Sequence, residues 1–168
     1  MNLDSMVKQG CLAWRPNDQA SGLDVWHQYE IPMTGVLWMG QQPVLFTLVY
    51  EYDHDVTIWA YLELDADQAK QLPGIKFDSL ESMTAWVEAQ FKDREAVLAL
   101  AREDKIATTW TRLTVVGDLL AATDRFLSLV VQSVDKVETD QDTRIRAKLA
   151  GVDAAHDELP ANREMTQV

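Results

Sequence analysis

The sequence predicts an α+β domain, with an antiparallel sheet of about five or six strands packed against two main helices. Three observations carry this expectation. Val44–Tyr52 and Val56–Leu64 are β-branched and aromatic runs separated only by Asp53-His54-Asp55, the pattern of a hairpin. Leu80, Met83, Val87 and Phe91 recur at helical spacing behind Asp78-Ser79-Leu80-Glu81, which has the layout of a capping box. Leu119, Leu120, Phe126, Leu127, Val130, Val131, Val134 and Val137 form a wide apolar stripe that predicts a helix over 118–138.

The first twenty-two residues are mixed, with turn signals at Pro16-Asn17-Asp18 and Ser21-Gly22. Leu23 to Ile31 alternates, with Leu23, Val25, Tyr29 and Ile31 on one face and Asp24, Gln28 and Glu30 on the other. This predicts a half-buried strand carrying His27 on its apolar side and Trp26 opposite. Pro32 to Gly35 reads as a turn, and Val36 to Met39 as a short apolar piece closed by Gly40 and Pro43.

In the hairpin, the first strand is apolar on both faces and belongs inside a sheet. The second places Val56, Ile58, Ala60 and Leu62 on one face and Thr57, Trp59, Tyr61 and Glu63 on a wetter one. Asp65 to Leu72 predicts a short helical turn stopped by Pro73-Gly74. Residues 97–102 and 106–115 predict a second hairpin around Glu103-Asp104-Lys105. Gly117 then breaks the chain and Asp118 caps the next helix. Ile145, Leu149 and Val152 suggest a further short helix. Residues 1–152 read as one domain, and 153–168, with Pro160 and few apolar residues, as a disordered tail.

A chain of 168 residues can bury a sizeable core without a disulfide or metal. Its single cysteine, Cys11, rules out an internal disulfide and any zinc site that needs two thiolates. The start of the chain has no apolar stretch suited to a signal peptide. No apolar run approaches the roughly 20 residues of a membrane span, so the expected location is cytoplasmic, with no membrane partner. With 15 basic and 27 acidic residues the net charge is −12, which argues against direct nucleic-acid binding and suits a basic protein partner.

No phosphate-loop, dinucleotide-binding, zinc-protease or nucleophile-elbow motif occurs, and no cofactor is implied. Asp53-His54-Asp55 carries metal-ligand chemistry, but those residue types are also common turn formers. His27 could act as a general base, although Glu30 points to the other face of its strand. Cys11 lies in no recognisable nucleophile context, and His156 lies in the tail. No residue is therefore assigned a catalytic or metal-binding role.

Six tryptophans remain. Trp26, Trp59 and Trp86 are expected to form an exposed platform for a partner, because aromatic anchors dominate many protein interfaces. On that reading, Trp59→Ala weakens partner capture and leaves the fold intact. The expected function is a non-enzymatic acidic interaction module, such as an accessory, immunity or antitoxin-like protein. Leu129, outside the main stripe of 118–138, would allow a homodimer through that helix. The alternatives are a small hydrolase or transferase using His27 with carboxylates, and a DNA mimic that occupies a nucleic-acid-binding protein.

Overall fold

The computed structural model describes residues 3, 21–52, 56–102, 107–131 and 163–165. Six antiparallel strands lie side by side in chain order: β1 (Gly22–Tyr29), β2 (Ile31–Met39), β3 (Gln42–Tyr52), β4 (Val56–Glu63), β5 (Glu95–Arg102) and β6 (Ala107–Thr114). Among the described residues three helices of a full turn or more accompany them: α1 (Ala66–Ala69), α2 (Leu80–Phe91) and α3 over 119–131. The arrangement is α+β. A seventh short strand, β7 (Arg163–Met165), pairs in parallel with β6. It lies within the stretch that the sequence suggests is a loose tail.

Helix starts follow local chemistry. Asp65 caps α1 by accepting the Gln68 backbone N–H at 2.8 Å, and the Gln68 side chain returns the bond to the Asp65 N–H. In α2 the capping box is Ser79 with Ser82, one residue later than the sequence suggests. Asp118 caps α3 by accepting the Ala121 N–H at 2.8 Å. Arg94 donates to Asp65 and Gln68, tying the β4–α1 connection to the start of β5.

The sheet is covered on both faces. On one, Val36, Leu45, Ile58, Ala60, Leu98 and Leu113 pack against Met83, Val87 and Phe91 of α2 and Leu119, Ala122 and Phe126 of α3. On the other, Leu37, Val44, Phe46, Trp59, Tyr61, Val97 and Trp110 form a second cluster with Leu3. The expectation that the Trp59–Tyr61 face is wet is corrected: both side chains have no exposed area. Aromatic rings carry the largest apolar area per residue, and they lie on a strand flanked by β3 and β5.

Two further corrections concern the first hairpin. Pro32 to Gly35 is strand, not turn, and β2 runs unbroken from Ile31 to Met39. Pro32 is tolerated because it sits near the strand start and the pairing with β3 begins only at Thr34. The chain instead reverses at Glu30, in the left-handed region at φ 61°. Irregular pairing around His27 also breaks the alternation of β1, and Val25 and Tyr29 are exposed rather than inward.

Candidate functional site

Where α2 and the start of α3 meet β1–β3, the helix face of the sheet is incompletely covered. The result is a cleft of about 340 Å³. Its sheet side is His27, Met33, Thr34, Thr47, Leu48 and Val49. Its helix side is Leu80, Met83, Thr84, Val87 and Glu88 from α2, with Leu119 and Leu120 from α3. Thr34 and Thr47 share a hydroxyl–hydroxyl hydrogen bond of 2.9 Å, which satisfies two polar groups in a buried position. Leu80 and Leu120 are more than half exposed at the rim.

Glu88 is the one carboxylate lining the cleft, and no lysine or arginine lines it among the described residues. One of its oxygens, Oε2, accepts the backbone N–H of Leu119 at 3.0 Å. That N–H is an otherwise unpaired donor in the first turn of α3, so the bond fastens α2 to α3. Burial holds the Glu88 pKa above the ordinary carboxylate value. The Leu119 N–H works against this rise, and the negative charge of Asp118 adds to it.

The cleft continues along β1. A second hollow, sharing His27, Leu80 and Met83, adds Trp26, Ile75, Lys76, Phe77 and Ser79. A third, sharing Trp26 and Ile75, extends past Leu72 and Gly74. Together they make one groove between the edge strand β1 and the α1–α2 side of the fold. An aromatic cluster stands beside it: Trp26 meets Phe77 at 5.3 Å and Trp86 at 5.6 Å between ring centroids, both edge to face. The Trp86 indole N–H donates to Gln71 Oε1 at 3.2 Å.

The structure thus brings together two of the three expected anchors. Trp26 and Trp86 are half-buried neighbours at the groove. Trp59 is corrected: it belongs to the core on the opposite face, and its indole N–H donates to Thr57 Oγ1 at 3.0 Å. His27 and Trp26, expected on opposite faces of β1, both line the groove, because the irregular pairing between Val25 and Gln28 lets consecutive side chains face one way. Asp53-His54-Asp55, Cys11 and His156 lie outside the described residues.

Sequence reasoning missed Glu88, Thr84 and the Thr34–Thr47 pair. Thr84 and Glu88 stand four residues apart beside the apolar stripe of α2, a polar pair on the flank that could have pointed to a site. The threonine pair had no local signal, since it depends on the register between β2 and β3.

Among the described residues, no group of His, Cys, Asp and Glu side chains could hold a metal ion, and no helix is long and apolar enough to cross a membrane. No protein-family model matches the chain, and no curated protein or solved structure matches it.

Proposed function

We propose that this chain is a non-enzymatic interaction module that holds a segment of another protein in the groove along β1. The carrying observation is the continuity of that groove, from Leu72 and Gly74 past Trp26 and His27 to Leu80, Met83 and Leu120. The apolar lining of its stretch through His27, Leu80 and Met83 suits a peptide segment, and the half-buried Trp26 and Trp86 supply the aromatic anchoring common at interface centres. Three features favour holding over turnover. The lining is dominated by aliphatic side chains, the cleft carboxylate is engaged by a backbone N–H, and the chain's net charge of −12 attracts a basic partner.

The test is affinity capture from the native cell with three baits: the unmodified chain, Leu80→Asp, and Tyr52→Asp as a control away from the groove. Leu80 is 56% exposed at the first position of α2, where an added carboxylate favours the helix, so the fold is retained. The expected result is a protein retained by the unmodified chain and by Tyr52→Asp, but lost with Leu80→Asp. Equal retention by all three baits would remove the groove from the binding surface. Conversion of a small substrate that is lost in His27→Ala would overturn the non-enzymatic reading.

A further inference from the structure

Building on the groove reading, we propose that the bound segment inserts a lysine side chain into the cleft, with its ammonium on Glu88. The geometry at Glu88 supports this in three steps. First, Oε2 is occupied by the Leu119 N–H at 3.0 Å, and among the described residues Oε1 has neither a hydrogen-bond partner nor a cation beside it. A half-buried carboxylate in such surroundings gains more from an arriving cation than one in open water does. Second, the approach to Glu88 is aliphatic. Met83, Val87 and Leu119 line it, and the methylene stem of a lysine can lie on such surface while its charged end reaches an acceptor. Third, with one oxygen already spent, Glu88 presents a single acceptor. The planar guanidinium of arginine gains most from two parallel bonds to a carboxylate, whereas a lysine ammonium acts as a point charge and needs one.

Charge favours the same occupant. Among the described residues no lysine or arginine lines the cleft to compete for Glu88, Asp118 stands close enough to add its negative field, and the whole chain carries −12. An acidic side chain would face repulsion, and a purely apolar one would leave Oε1 without a partner in a desolvated position.

The experiment is a titration followed by amide chemical shifts in the full-length protein. The probes are four acetylated and amidated pentapeptides, Gly-Val-X-Val-Gly, where X is lysine, arginine, norleucine or glutamate. With lysine, the amides of Thr84, Glu88 and Leu119 are expected to shift and saturate. The norleucine peptide should bind the same groove about tenfold more weakly, the size expected for losing one hydrogen bond to a charged group. The arginine peptide should fall between them, and the glutamate peptide should shift nothing. Glu88→Gln keeps an oxygen for the Leu119 N–H and removes the charge, so it should bring lysine down to the level of norleucine. Retention of the Leu119 amide position in the free variant would show that the α2–α3 contact survives.

Equal affinity for the lysine and norleucine peptides would overturn the lysine assignment while leaving the groove reading standing. So would a lysine preference that survives Glu88→Gln. Stronger binding of arginine than lysine would overturn the single-acceptor argument. If no peptide shifts a cleft amide, the lysine pocket is refuted, and the capture comparison with Leu80→Asp decides the groove independently.

Discussion

Gly35 lies directly beneath the backbone of Asp24: a β-carbon built on Gly35 would sit 2.0 Å from the Asp24 carbonyl oxygen. The obstacle is main chain on the neighbouring strand, which has no rotamer to yield. Glycine is required here by the close approach of two backbones, not by its φ angle. Gly35→Ala should therefore push β1 away from β2 at Val25, its register partner. The expected cost is about 1–3 kcal/mol, the usual range for overpacking a filled site. Urea unfolding measures it. Amide exchange should show the loss concentrated in Asp24–His27, with β4 and β5 protected as before. Because Trp26 and His27 ride on that strand, the groove should also lose its shape.

Thr34 and Thr47 give a cleaner energetic test. Their hydroxyls are 2.9 Å apart, both residues are buried, and they face one another in the β2–β3 register. Replacing either with valine leaves the other hydroxyl desolvated without its partner, at a cost of about 1–3 kcal/mol. Replacing both removes two polar groups at once and keeps the shape, so Thr34→Val with Thr47→Val should be close to neutral. A double-mutant cycle on urea midpoints should show this compensation. Additive costs would mean that each hydroxyl has another partner when alone.

Trp59 marks a reversal of the expectation from sequence. With no exposed area and a place in the core cluster with Phe46, Tyr61 and Val97, it is not available to a partner. Trp59→Ala should cost about 3–5 kcal/mol, as large-to-small changes at buried aromatic sites do. Thermal or urea unfolding checks this. A variant that folds with unchanged stability and loses a partner would restore the surface role.

The hairpin at Val44–Tyr52 and Val56–Leu64 was legible because strand-forming residues stand either side of a short polar break, and local composition alone decides such a pairing. The apolar stripe of α2 was legible for the same reason. Met83, Val87 and Phe91 are buried as the spacing implies. The candidate site was not legible, because it depends on events that alternation hides. The irregular pairing at His27 brings Trp26 and His27 to one side of β1, and the register shift between Leu48 and Tyr50 does similar work in β3. An irregularity of this kind inverts every inference drawn from parity beyond it. Trp59 illustrates a different limit. Alternation alone puts it opposite Ile58 and Ala60, but which face is wet depends on what else covers the sheet, and a single strand does not encode that.

Asp65 and Glu88 should leave opposite marks on stability against pH. The Gln68 backbone N–H, joined by the Arg94 cation, holds Asp65 below its ordinary value of 3.8. In the acid range the unfolded chain then takes up this proton first. Its contribution is fully present above 3.8 and is lost as pH falls toward the lower native value. Asp65→Asn should flatten that acid limb. Glu88 behaves the other way. Its native pKa is raised above 4.5, so between 4.5 and the native value the folded chain keeps a proton that the unfolded chain gives up. Folding is therefore favoured at the lower end of that window and weakened as pH rises through it. Glu88→Gln should remove this decline and raise stability at neutral pH relative to the unmodified chain, while leaving the Asp65 limb in place. Urea midpoints measured across pH 3 to 7 in both variants separate the two effects, because other carboxylates cancel in each difference from the unmodified protein. A Glu88→Gln profile parallel to the unmodified one throughout would mean that folding does not desolvate that carboxyl.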